Sequence, residues 1–168
     1  MSYGSMRTQR EGLPPAALAK AIISLVDGRK RFPSEAQPQA ALLLARLSPF
    51  VAEQPPRVQL DICGLLRLER CYNGQVLQRQ GGRGRSFYIL LKGLVEETVA
   101  AADRSRTDLV RALRPGDSFG AEAIRKRKYT CPTAIQCQSP CYFLKLDKAS
   151  RNTFNAAWLL KQNEESHL

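Results

Sequence analysis

Histidine is almost missing from this chain: one residue, His167, stands beside the terminal Leu168 of 168 residues. A Ser-His or Cys-His nucleophilic pair therefore has no credible base, and catalysis is not the expected role. Asp103, Asp108 and Asp117 fall at turns and strand edges, where carboxylates act as caps more often than as acid–base pairs. The five cysteines, Cys63, Cys71, Cys131, Cys137 and Cys141, are odd in number and form no Cys-x-x-Cys pair. No metal site is expected, and reduced thiols used as small hydrophobes fit the pattern. No apolar run approaches the roughly 20 residues that span a bilayer. The opening Met1-Ser2-Tyr3-Gly4-Ser5-Met6 lacks the apolar core of a secretory signal, so a soluble, cytoplasmic protein is expected. Aromatic residues are only 7% of the chain, which argues against a base-stacking platform.

Acidic residues are the scarcer charge. Against 26 Lys and Arg there are 15 Asp and Glu, a formal net charge of +11. Such a balance favours an acidic partner without choosing which, and a solvated basic face is the alternative. Hydrophobic residues at 43% are enough for a packed core, and the length suits one domain with extensions.

Along the chain the hydrophobic period changes twice. Residues 1–12 are polar. Pro14-Pro15 opens a helical pattern carrying Leu18, Ile22, Leu25 and Val26, closed by Gly28. A basic link, Arg29-Lys30-Arg31, leads to a second helix with Pro38 in its first turn and Leu42, Leu43, Leu44 and Leu47 along it. Ser48-Pro49-Phe50 breaks that helix. A third starts near Pro55-Pro56, with Val58, Ile62 and Leu65 on one face and Gly64 weakening its end. From Leu66 the period falls to two, predicting strands over 66–72, 75–80, 86–92, 94–100, 108–113, 133–138 and 141–146. After Asp147 the helical period returns, with Phe154, Ala157 and Trp158 on one stripe. Helices, then an antiparallel β-roll, then a short helix is the architecture this pattern predicts.

Three segments give that sketch a likeness. They are Tyr72-x-Gly74-x-x-Leu77-x-x-Gln80-Gly81, Phe87-Tyr88-x-Leu90-x-x-Gly93-x-Val95, and Pro115-Gly116-Asp117-x-Phe119-Gly120. With Leu146-Asp147-Lys148 and the Leu47-Ser48-Pro49-Phe50 lead-in, their order resembles the cyclic nucleotide-binding domain family of kinase regulatory subunits, exchange factors, gated channels and bacterial regulators. The resemblance covers roughly residues 40–160. It implies a mainly β fold: an antiparallel roll, or jelly-roll, of about eight strands, with helices before it and one short helix after. The expected division is a disordered tail at 1–13, a helix and linker at 14–37, the domain at 38–162 and a tail at 163–168. Gly74, Gly81, Gly84 and Gly93 are read as turn glycines that need no ligand.

The resemblance also implies a site, and shows it altered. In the family, a segment after Phe-Gly turns backbone N–H groups toward the cyclic phosphate. A glutamate two residues after the phenylalanine binds ribose, and an arginine in Pro-Arg-Ala-Ala-Thr pairs with the phosphate. The candidate cradle here is Phe119, Gly120, Ala121, Glu122, Ala123, Cys131 and Thr133. Counting back from Asp147 puts Cys131 at the arginine position and Pro132, which has no N–H, beside it. Ala121 holds the glutamate position without a gap; Glu122 holds it with a one-residue insertion. Both registers remain open at this level. Arg125, Lys126, Arg127 and Lys128 lie in the same segment and read as a solvated loop, a docking patch for an acidic partner or a substitute phosphate contact.

The expected function is a non-catalytic module with a degenerate cradle, a structural or protein-interaction subunit that meets an acidic surface, for which a cytoskeletal polymer is one fit. A working cAMP or cGMP sensor with a non-standard phosphate site is the alternative. No cofactor is expected outside that alternative. Sequence-specific nucleic acid binding is not expected, since charge alone gives only salt-sensitive, sequence-blind attachment.

Overall fold

A computed structural model of the chain describes residues 12–148. The helix with Phe154, Ala157 and Trp158 that was expected after the roll lies outside the described residues.

The helices come first because their sequences place one apolar stripe on a 3.6-residue period. α1 (Pro15–Val26) buries Leu18, Ala19, Ile22 and Val26 and ends where Asp27 and Gly28 take left-handed backbone. α2 (Gln37–Leu47) buries Ala40, Ala41, Leu44 and Leu47. The predicted break at Ser48-Pro49-Phe50 is itself a single helical turn, α3 (Pro49–Ala52), capped by the Ser48 hydroxyl accepting from the Val51 N–H at 3.2 Å. α4 (Pro56–Leu65) follows and buries Ile62 and Cys63.

The strands are β1 (Arg67–Cys71), β2 (Val76–Gln78), β3 (Ser86–Lys92), β4 (Val95–Ala100), β5 (Thr107–Leu113), β6 (Ser118–Phe119), β7 (Ala134–Cys137) and β8 (Cys141–Asp147). They form two antiparallel four-stranded sheets, β1-β8-β3-β6 and β2-β7-β4-β5. β6 was not foreseen: two residues carry no readable period. A short helix, α5 (Ala121–Arg125), follows β6.

Strand β3 is buried on both faces. Phe87, Ile89 and Leu91 face the helices, whereas Tyr88 and Leu90 face the interior of the roll. β8 does the same, with Leu144 and Leu146 toward the helices and Cys141 and Phe143 inward. Such two-sided burial is why Phe87–Leu91 reads as a continuous apolar run rather than an alternation. The first sheet is thus a wall between two cores, and α5 adds Ile124 to the helical one.

All five cysteines are free and buried. Burial pushes the Cys63 thiol up to about 12 and the Cys71 thiol to about 11. Such groups are packed hydrophobes rather than nucleophiles, in line with the sequence reading.

Candidate functional site

Phe119 pairs with Tyr88 across β6 and β3, and its ring stacks on Tyr88 at 4.8 Å. Gly120 then turns the chain with φ at 92°, left-handed backbone that a side chain disfavours. A Cβ there would run into the Ser86 carbonyl oxygen. The turn launches α5 with Ala121 first and with Ala123 and Ile124 buried beneath it.

The chain returns along the loop between β2 and β3. Cys131 N–H donates to the Gly82 carbonyl, Gly81 N–H to the Cys131 carbonyl and Gly84 N–H to the Tyr129 carbonyl, at 2.8 to 3.0 Å. Gly84 is used for close approach rather than for an unusual φ: a Cβ would press on Ala123, Tyr129 and the Cys131 sulfur. Cys131 is 2% exposed, and burial raises its thiol above the ordinary cysteine value. It is a packed thiol, not a switch poised in solvent.

Between α5 and the second sheet lies a cavity of about 230 Å³. Phe119, Gly120, Ala121, Glu122 and Thr133 of the candidate cradle line it, joined by Pro132, Gln78, Glu97, Arg111 and Tyr129. Ala123 and Cys131 do not line it. Its polar centre is Glu97, a residue the sequence reading missed. Arg111 Nε donates to one Glu97 oxygen at 2.7 Å, and the Thr133 hydroxyl donates to the other at 2.6 Å. The Gln78 amide donates to the Thr133 carbonyl at 3.1 Å. Glu97 and Arg111 are cross-strand partners in β4 and β5. One signal existed in the sequence: Glu97 is two residues after the buried Val95, on the inward face of the same strand.

Glu122 is engaged as well, with Arg125 at 2.7 Å and Lys126 at 3.5 Å. The four basic residues do not act as one patch. Arg125 is held back on α5 with its side chain only 17% exposed, and Lys126 also lies over the Tyr129 ring. Arg127 and Lys128 are exposed. None of the four lines the small cavity.

On the other side of the 119–131 segment a larger cleft of about 840 Å³ opens at the end of the roll. Cys131 and Phe119 border it. Tyr88, Lys145 and Asp147 line it, and Asp147 is bonded to Arg67 at 2.9 Å and to the Ser86 hydroxyl at 3.0 Å. Burial alone would lower the Lys145 ammonium; Tyr88, Glu69 and Asp147 together outweigh it and hold it above the ordinary lysine value. No group of three or more potential metal ligands clusters among the described residues.

Comparison with known proteins agrees with this fold. A regulatory domain of protein kinase A from Toxoplasma gondii, solved with cAMP, superposes with a TM-score of 0.63 over 80% of this chain and 51% of its own, at 18% identity. A regulatory subunit of a cAMP-independent protein kinase A from Trypanosoma cruzi, bound to guanosine, superposes with a TM-score of 0.61 over 75% of this chain and 44% of its own, at 16% identity. In sequence, Rap guanine nucleotide exchange factor 3 of Rattus norvegicus is 35% identical over 103 residues, 61% of this chain and 11% of the exchange factor. A cGMP-dependent protein kinase of Drosophila melanogaster is 33% identical over 66 residues, 39% of this chain. The chain thus spans 7% of that kinase's length and about a tenth of the exchange factor's. The family model described as "Cyclic nucleotide-binding domain" matches residues 68–154, more than half of the chain. By that match, and by the two-sheet roll with its helical lead-in, this chain belongs to the cyclic nucleotide-binding domain family.

Proposed function

We propose that this chain is a non-catalytic member of the family whose nucleotide cavity is closed to the cyclic phosphate. In this reading it serves as a structural or protein-interaction subunit of a larger assembly in the cytoplasm, its basic surface meeting an acidic partner such as a cytoskeletal polymer. The observation that carries the reading is the Glu97 carboxylate in the cavity, tied to Thr133 and Arg111. A phosphate beside that carboxylate would have to draw Arg111 away from Glu97 or share it, leaving two anions on one guanidinium. Where the family resemblance calls for an arginine fork, a buried thiol stands, which forgoes two charged hydrogen bonds of about 1.5–3 kcal/mol each. Together these would take a micromolar binder to millimolar or weaker. Size points the same way, since about 230 Å³ falls below the roughly 300–1,000 Å³ of ligand pockets. The Trypanosoma cruzi subunit described as cAMP-independent is a precedent for the fold working without that ligand.

Calorimetric titration of the full chain with cAMP and cGMP tests this. The expected outcome is no saturable heat at micromolar nucleotide. Saturable micromolar binding that is lost on Thr133→Val would overturn it. No helix among the described residues is long and apolar enough to cross a membrane.

A further inference from the structure

Among the described residues, five cations surround the larger cleft, against a single carboxylate, Asp147. Arg83 and Arg85 come from the loop between β2 and β3, Arg127 from the loop after α5, and Lys145 and Lys148 from the end of β8. Asp147 is already engaged by Arg67, Ser86 and Lys145. Arg83, Arg85 and Arg127 form no side-chain hydrogen bond or ion pair among the described residues, although each is exposed. Unpaired arginines on a surface are ordinary; three converging on one concavity from two separate segments, Arg83 and Arg85 from one and Arg127 from the other, are not. The segments are pinned together. The backbone bonds between 81–84 and 129–131 lace one pair, and the Lys148 ammonium donates to the Arg127 carbonyl at 2.7 Å. The guanidinium groups therefore cannot relax their mutual repulsion by moving the backbone apart, and an anion between them would relieve it.

We propose that this cleft is a second ligand site, separate from the closed cavity, for a small molecule carrying two or more adjacent phosphate groups. Guanidinium forks match phosphate oxygens in bidentate geometry, and the cations here without a partner among the described residues are all arginines. The cleft, at about 840 Å³, lies in the size range of small-ligand pockets, and its concavity favours a compact anion over the flat face of an acidic protein. A cyclic monophosphate carries one charge and would engage only one of the forks. The site is independent of the reading of the small cavity and stands or falls without it.

The test is calorimetry on the full chain with sodium pyrophosphate, ATP and inositol hexakisphosphate, with cAMP as a separate arm that reports on the small cavity. Saturable binding is expected for at least one of the three, and which one binds tightest separates nucleotide from inositol phosphate sources. Arg83→Ala/Arg85→Ala/Arg127→Ala should weaken it by about tenfold or more. Lys92→Ala/Arg104→Ala/Arg106→Ala removes the same charge elsewhere and should change it by less than about twofold. Thermal melts establish that both variants are folded. Equal losses in the two variants, absence of saturable binding for all three probes, or displacement of ATP by poly-glutamate at equal charge would each overturn the proposal.

Discussion

At the scale of single residues the decisive group is Glu97. Its carboxylate accepts from Thr133 and Arg111 and lines the small cavity. Removing either end of the Thr133 contact should cost about 1–3 kcal/mol in urea unfolding, because a hydrogen bond to a charged group is lost. In a double-mutant cycle, Glu97→Ala with Thr133→Ala should lose less than the sum of the single changes, with a coupling of about 1 kcal/mol or more. Additive losses would mean that the two side chains act independently. The thiols make a second prediction. Cys63 is raised from 9.0 to about 12 and Cys137, also by burial and then by its thiol neighbours, to about 12. A raised folded value means that the unfolded chain releases these protons first. Stability is then fully present below pH 9 and declines from about pH 9 toward pH 12, by up to about 1.4 kcal/mol per pH unit for each thiol. Cys63→Ala should flatten that alkaline slope in denaturant titrations at pH 8 to 11; an unchanged slope would remove the thiols as its cause.

At the scale of elements, the link from β6 to α5 depends on Gly120. Gly120→Ala combines left-handed strain with collision against the Ser86 carbonyl and should cost about 2 kcal/mol or more, seen as a fall in Tm of several degrees. An unchanged melt would show that the turn can be made another way. The elements themselves were largely legible in the sequence. The seven expected strands are present within two residues at each end; in β7, where Ile135 and Cys137 are buried and Gln136 is exposed, alternation records burial directly. β6 and α3 escaped because two and four residues are too few to display a period. The small cavity was legible only in part. Motif order located Phe119 to Glu122 and Thr133, but Glu97 and Arg111 meet through β4–β5 register, which shifts after Glu97. Register across a bulge is set by tertiary packing, which local spacing does not encode. The same limit hid the division of Arg125–Lys128 between an ion pair on α5 and the rim of the larger cleft.

At the scale of the whole molecule, the wall formed by β3 and β8 joins the helical core to the roll. Ile89 and Leu90 are neighbours that point into different cores, and both are fully buried. Ile89→Ala and Leu90→Ala should each cost about 2–5 kcal/mol, where an ordinary half-buried strand would tolerate one of the two. Unfolding should also be a single transition. Amide exchange at Ile22 in α1 and at Phe143 inside the roll should report the same opening free energy. Earlier opening of α1 by more than about 1 kcal/mol would mean that the two halves come apart separately. The shared partition has a mechanical consequence. A load on α1 or α2 reaches Phe87, Ile89 and Leu144, and the alternate residues of the same two strands, Tyr88 and Lys145, border the larger cleft.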